Sequence, residues 1–599
     1  MFKRAAMAVA ALVGLVCAVG AAAAGTPAEE GARLNIFLEA CFQEALDKSP
    51  EEKARLGLKE DADEWDDISD SAAAEMQLMR IRHLNALKAR FDPARLQGQD
   101  RMSYRLFEYA TERDIDAFRW RYHTYPVNQM YGVHNNVPAF LINHHEVATV
   151  GDAENYIKRL EGVPALFEAL KENLRTRQSM GIMPPRFVFE HAINACERIV
   201  SGAPFDASGR DSTILEDFRT KVGALGEADR AGLIARAEGA LKERVRPAYE
   251  GLIALLREQQ AQATDDAGAW KLPDGRAFYA SAVQRTTTTD LTPEQVHEMG
   301  LREVARIHAE MTEIMKKTGF SGSLADFFEH TRSDPKFFYP NNSRGRGEYL
   351  EEAMRLTDEM RSRLDQFFIT KPKADMVVRP VEPFREKSAG KAFYNAGSPD
   401  GSRPGVYYVN LYNTMDMPRY QMEALAFHEG IPGHHMQISI AQELEALPRF
   451  RRFDGYTAYS EGWALYTEVL AKEMGFYTDP YSDFGRLAME LWRACRLVVD
   501  TGLHDKQWTR EQAIDYLMKN TPNPKGDCTR AIERYIVLPG QATAYTVGRN
   551  TIMALRDRAK RALGPKFDIR RFHEVVLTSG AVPLDVLEEM VEEMIRSGS

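Results

Sequence analysis

The sequence predicts a mainly α-helical, two-lobed protein with one small β-sheet, and three observations carry that expectation. Apolar residues recur at three- and four-residue intervals over most of the chain. Strand-like clusters are confined to two short stretches, 377–381 and 406–411, where β-branched and aromatic residues stand between turn formers. At 599 residues the chain also exceeds the roughly 250–300 at which a single hydrophobic core stops growing.

Lys3 and Arg4 precede an apolar stretch from Ala5 to Val19 that runs into Ala21, Ala22, Ala23 and Ala24, the pattern of a secretory signal peptide over residues 1–24. The stretch is shorter than the roughly 20 apolar residues of a membrane anchor. A lipoprotein signal needs a small residue directly before the acylated cysteine, whereas Val16 precedes Cys17. The expected location is exported, periplasmic or secreted, with no integral membrane segment after cleavage. Export permits disulfides, and Cys41, Cys196, Cys495 and Cys528 allow three pairings, with Cys495 and Cys528 the nearer pair in sequence. None has metal-ligand spacing.

Helical periodicity follows over about 75–91, 153–177 and 214–262, which assigns residues 25–270 to an N-terminal helical lobe. The loop 265–275, rich in Asp, Gly and Pro, is the soft boundary, and residues 271–599 form the C-terminal lobe. There Thr292-Pro293 signals a helix start, after which Val304, Ile307, Met311 and Ile314 make one buried face. Further helices are expected over 348–368, 481–503 and 582–595, and a second turn-rich loop over 398–404. With 44% hydrophobic and 27% charged residues the chain is an ordinary globular protein. Its 77 Lys+Arg against 87 Asp+Glu, without a long basic run, argue against nucleic acid as a partner.

The informative segment is Ala426-Phe427-His428-Glu429-Gly430-Ile431-Pro432-Gly433-His434-His435, which places three of the chain's 14 histidines beside a glutamate. In the zinc pattern His-Glu-x-x-His, two histidines one helical turn apart share a face and the glutamate polarises the metal-bound water. Here the fourth position after His428 is Pro432, and His434 and His435 follow at six and seven. On an unbroken helix the sixth residue is rotated by about 240° and the seventh lies about 10.5 Å along the axis, so neither could share one zinc. Pro432 lacks the N–H that would pair with the His428 carbonyl, and Gly433 can adopt left-handed angles. The helix is therefore expected to break there and fold His434 back toward His428. The pairs His145-Glu146, His297-Glu298 and His573-Glu574 have no second histidine at a suitable offset.

Tyr459-Ser460-Glu461-Gly462-Trp463-Ala464-Leu465-Tyr466 begins another helical stretch in which Glu461 is polar among apolar and aromatic neighbours. A catalytic zinc commonly takes two histidines and one carboxylate and keeps a fourth position for water, which makes Glu461 the candidate third ligand. Glu468 is the fallback, expected on an exposed helix face.

These segments resemble the bacterial family catalogued as domain of unknown function 885 (DUF885), whose members resemble gluzincin-type zinc metallopeptidases. The resemblance rests on His428-Glu429-x-x-Pro432-Gly433-His434-His435, on Glu461-Gly462-Trp463-Ala464-Leu465-Tyr466, on Arg496-Leu497-Val498-Val499-Asp500-Thr501-Gly502-Leu503-His504, and on Pro539-Gly540-Gln541-Ala542-x-x-Tyr545. It spans much of the C-terminal half, whereas the N-terminal half carries no catalytic motif. It implies a metallopeptidase-like architecture with the sheet near an active-site cleft. It also implies one Zn2+ per chain held by His428, His434 and Glu461 with Glu429 as base, and it favours His434 over His435 because the family pattern reads Pro-Gly-His.

Such a set could run metal-assisted hydrolysis of peptide bonds, with Glu429 taking a proton from water and delivering it to the leaving amine. The developing oxyanion needs a donor, for which Tyr545 and His504 lead a group that includes Tyr535 and Arg549. Strand 407–411 offers either an edge that aligns an extended peptide or a core hairpin. Arg493, Arg496, Arg530 and Arg534 include possible partners for a substrate carboxylate, though most are expected in helix-surface or interlobe ion pairs. The leading expectation is an exported zinc metallopeptidase acting on peptides. The alternatives are a zinc amidohydrolase on a non-peptide or cell-wall amide, and a periplasmic binding protein with an inactive metallopeptidase-like site.

Overall fold

The structure is a computed structural model that describes residues 26–598 apart from 382–385, 387–388, 398–402 and 454. The expected signal peptide lies outside the described residues, as do positions 398–402 of the second turn-rich loop. Helices dominate, as the apolar spacing predicts. Pro27–Leu46, Asp70–Arg90 and Gly98–Ala117 enclose a small core around Leu34, Leu38, Leu87 and Tyr104. Val150–Ser179, Arg186–Ile199 and Arg246–Gln262 surround a second, with Leu160, Phe167, Tyr249 and Leu252 inside. The periodic stretch 214–262 is not one helix, because Thr213–Val222 stops at Gly223 and the chain restarts at Glu227 after Gly226.

The third and largest core is built mainly by α1 (Pro293–Lys317), α2 (Met422–Glu429), α3 (His434–Glu443), α4 (Thr457–Glu473), α5 (Pro480–His504), α6 (Lys525–Val537) and α7 (Ala544–Leu563). Leu106, Trp120, Ile182 and Val188 from the first half of the chain join it, and so do Ala267, Ala269 and Leu272 of the 265–275 loop.

α1 begins where the sequence signals. The Thr292 side chain accepts from the Gln295 N–H, the Gln295 side chain accepts from the Thr292 N–H, and Pro293 takes the first turn, where its missing donor costs nothing. Val304, Ile307, Met311 and Ile314 are buried as predicted, and α1 packs along α5. Burying a side chain such as Ile307 contributes roughly 1.5–3 kcal/mol before conformational entropy is subtracted.

α4 and α7 meet backbone to backbone. A Cβ on Gly462 would stand 2.5 Å from the Gly548 carbonyl carbon, and one on Gly548 would stand 1.8 Å from the Ala458 carbonyl oxygen. Only glycine at both positions lets the two helices lie this close, and the contact brings Glu461 on α4 and Tyr545 on α7 each within a turn of it.

The sheet has three strands, β1 (Met376–Pro380), β2 (Ala392–Asn395) and β3 (Gly405–Val409), in the order β1-β3-β2. β3 runs parallel to β1 and antiparallel to β2, with Tyr407 opposite both Val378 and Tyr394. The strand read from sequence as a possible substrate-aligning edge is thus the central one, with both of its hydrogen-bonding sides already paired. The structure gives the core reading instead.

All four cysteines of the described chain are buried free thiols, so the Cys495–Cys528 pairing that export would permit is not formed. No helix among the described residues is long and apolar enough to cross a membrane.

Candidate metal centre

α2 ends at Glu429 and α3 begins at His434, so the helix breaks at the Pro-Gly pair. The intervening turn doubles back over the end of α2. A Cβ on Gly433 would lie 1.9 Å from the His428 carbonyl oxygen and 2.4 Å from that of Phe427. Gly433 has φ −76°, so the position demands glycine for close approach and not for the left-handed backbone that the sequence suggested. α4 pins the turn from the other side: the Trp463 indole N–H donates to the Pro432 carbonyl at 2.9 Å, and the Thr467 hydroxyl donates to the Phe427 carbonyl at 3.0 Å. The outcome is that the His428 and His434 rings stand 4.8 Å apart, nearly perpendicular at 85°.

Glu461 completes the cluster from the first turns of α4. Its Oε2 lies 3.6 Å from His428 Nε2 and 3.4 Å from His434 Nε2. One donor atom from each of the three residues falls within 4.8 Å of the others. Ligands held about 2.0–2.1 Å from a tetrahedral centre stand about 3.3–3.4 Å apart, so these separations suit one small ion. Two enclosed polar atoms here, Glu461 Oε2 and His434 Nδ1, have no hydrogen-bond partner. An orphaned carboxylate oxygen between two imidazoles is costly unless something fills the gap, and a His2Glu donor set is one that zinc takes readily.

Electrostatics agree with this grouping. Burial lowers the His428 pKa, but the neighbouring Glu461 and Glu468 carboxylates outweigh it and raise the ring to about 9. Burial works upward on Glu461, and the two histidines overcome it and hold the carboxyl well below its usual range. A proton on His428 thus answers the same negative site that a cation would.

Residues 50–591 match a family model described as a bacterial protein of unknown function, DUF885. The chain belongs to this family. Its fold is similar to a solved structure described as a "putative lipoprotein" from Colwellia psychrerythraea, with a TM-score of 0.88 and 30% identity over 95% of this chain and 99% of that one. A second, a "putative lipoprotein of unknown function" from Shewanella oneidensis, has a TM-score of 0.72 and 19% identity over 95% of this chain and 100% of that one, and shows the fold alone. No curated protein matches the chain.

Around the cluster of this DUF885 chain, the remaining candidate residues divide sharply. Glu429 is 6% exposed and forms no hydrogen bond or ion pair with a described residue, and Tyr407 of β3 is close enough to feel its charge. Glu468 is not on an exposed face. It is 2% exposed and its Oε1 lies 2.8 Å from His428 Nδ1, with the Arg493 guanidinium 3.7 Å behind it. It therefore orients a candidate ligand and is not one itself. His435 turns away from the cluster: its Nδ1 lies 3.0 Å from the Tyr394 hydroxyl of β2, and burial pushes its pKa down to about 4.

His504, expected as an oxyanion donor, needs correcting. It is fully buried, its Nδ1 accepts the Ala269 N–H at 2.9 Å, and its Nε2 lies 3.0 Å from the Tyr535 carbonyl. With both nitrogens committed to backbone it ties the 265–275 loop and α6 to the end of α5. Tyr545 stays near the cluster through the α4–α7 contact, and the Arg496 guanidinium lies 4.3 Å from its ring centroid. Arg549 is spent on ion pairs with Glu490 and Glu303, at 2.8 and 2.9 Å.

Proposed function

We propose that this chain is an exported zinc-dependent metallopeptidase. The observation that carries the reading is the His428–His434–Glu461 set, with Glu461 Oε2 3.4–3.6 Å from both imidazole nitrogens and the uncommitted Glu429 carboxylate directly following one of the histidines. When bound there, a zinc ion would supply Lewis acidity toward water and toward a peptide carbonyl. His428 offers Nε2 because Glu468 occupies its Nδ1, which fixes both the tautomer and the ring plane.

Glu429 accepts a proton from the attacking water and returns it to the amine that leaves, so the carboxylate is unchanged after each turnover. The Tyr545 hydroxyl donates to the oxygen on which negative charge develops. The burial of His428 and Glu429 keeps bulk water from competing with these transfers. An exported location is supported by the Lys3-Arg4 and alanine-rich leader and by the description of the Colwellia psychrerythraea relative.

The experiment is metal analysis of the purified protein together with digestion of a peptide pool read by mass spectrometry, with and without chelator. About one zinc per chain and chelator-sensitive cleavage that Glu429→Gln abolishes while retaining the metal are expected. Metal without cleavage of any peptide would transfer the site to another amide or to binding, and cleavage by the metal-loaded Gln variant at the parental rate would remove Glu429 as the base.

A further inference from the structure

α5 carries charged side chains at three- and four-residue spacing: Asp483, Arg486, Glu490, Arg493 and Arg496. The first four are compensated. Arg486 pairs with Asp483 at 2.8 Å and with Glu490 at 3.2 Å, and Arg493 lies 3.7 Å from Glu468. Arg496 is different. No carboxylate oxygen of the described residues lies within 4.0 Å of it, and its enclosed Nε has no hydrogen-bond partner. Its guanidinium sits instead against two aromatic faces, 4.3 Å from the Tyr545 ring centroid and 5.8 Å from that of Tyr535, whose buried hydroxyl has no partner other than Arg496 itself.

An enclosed guanidinium without a counter-ion is costly, and two phenol rings compensate it only in part. What the place lacks is a planar anion that can accept the fork of guanidinium donors and a phenol O–H together, which describes a carboxylate. The place also adjoins the metal cluster. Arg496 is within electrostatic reach of Glu461, and Tyr545 is one helical turn from the Gly548–Gly462 contact that seats Glu461.

We propose that Arg496, with the Tyr535 hydroxyl beside it and the Tyr545 ring packed against its guanidinium, is a receptor for the free C-terminal carboxylate of a peptide substrate. This rests on the peptidase reading and deepens it: a substrate anchored by its end, beside the cluster, is cut near its C-terminus, so the activity is that of an exopeptidase. His504 and Asp500 serve the receptor as positioning residues. His504 holds the Tyr535 carbonyl, and Asp500 accepts the Gly540 N–H at 3.0 Å, which fixes the turn leading into Tyr545.

The test compares an N-acetylated tripeptide carrying a free C-terminal acid with the same peptide as its C-terminal amide, by calorimetric binding to the full-length Glu429→Gln protein. The acid is expected to bind roughly 10- to 100-fold more tightly than the amide. Arg496→Gln should bring the acid down to the level of the amide at unchanged zinc content, and Arg496→Lys should fall between. Equal binding of acid and amide, or of neither, overturns the receptor, as does a loss in Arg496→Gln that is the same for both peptides. Acid-selective binding by a protein that cleaves no peptide upholds the receptor while sinking the peptidase reading, so the two fail separately.

Discussion

His428 Nδ1 and Glu468 Oε1 meet at 2.8 Å in the middle of the contact between α2 and α4, where 3% and 2% of the two side chains are exposed. Arg493 closes the chain from α5. A carboxylate placed behind an imidazole raises its basicity and holds the opposite nitrogen outward, so the geometry of His428 depends on a residue that touches no metal position.

Glu468→Gln, which keeps a hydrogen-bonding group but not the charge, is expected to lower zinc affinity by roughly 10- to 100-fold with little change in the folded state. Competition with a chromophoric chelator measures this directly. Unchanged affinity would reduce the His428–Glu468 contact to packing.

His434→Ala and His435→Ala should separate cleanly. The first removes a donor from the cluster and should abolish tight zinc binding, whereas the second removes the partner of Tyr394 and should show as lower thermal stability with the metal retained. Metal titration beside a melting curve reads both, and the reverse pattern would move ligation to His435.

Gly548→Ala pushes a methyl group against the Ala458 carbonyl, an overpacking expected to cost roughly 1–3 kcal/mol and to weaken zinc binding by displacing Glu461. Gly347 on the helix Ser343–Arg363 is the matching control, since a Cβ there meets nothing within 4 Å. Gly347→Ala should stabilise by up to about 1 kcal/mol. Urea denaturation of the two variants gives the comparison.

Asp500 predicts a pH dependence. Burial pushes its carboxyl up from an ordinary value near 3.8 to about 7, although donors from Tyr279, Gly540 and Ala542 work against the rise. The folded state therefore holds the proton more tightly than the unfolded chain, and this contribution is complete below pH 4 and lost as pH rises through about 7. Asp500→Asn removes the dependence and should be the more stable protein at pH 8, by at most roughly 4 kcal/mol. Denaturation midpoints of parent and variant from pH 4 to 8 should converge at the acid end, and parallel curves would mean that Asp500 does not titrate in this window.

The helix break at Pro432-Gly433 was legible because it follows from missing donors and missing side chains, which are local properties of two residues. Glu461 was legible from its polar character among aromatics. Glu468 was misplaced for an instructive reason. α4 is buried nearly all round, from Ala458 and Tyr459 through Trp463 to Leu470 and Ala471, and on such a helix a glutamate two turns from Glu461 lies on the same inner face. The apolar run around it carried that signal. His504 was not legible, since whether an imidazole faces a cleft or two backbone groups depends on the 265–275 loop arriving at the end of α5 from a distant part of the chain. The central place of β3 was hidden similarly, because its second neighbour, β2, is four residues long and carries only Phe393 and Tyr394 as strand formers.

A contact between two backbones has no rotamers to exchange. Where α4 crosses α7 at Gly462 and Gly548, small displacements have no side chain to absorb them, and the seat is either occupied or vacated. Glu461 rides on one side of that seat and Tyr545 on the other. Metal binding and carboxylate recognition should therefore disappear together, in one cooperative step, under any stress that parts the two helices. Motions that admit and release substrate have to pivot elsewhere and leave this crossing still.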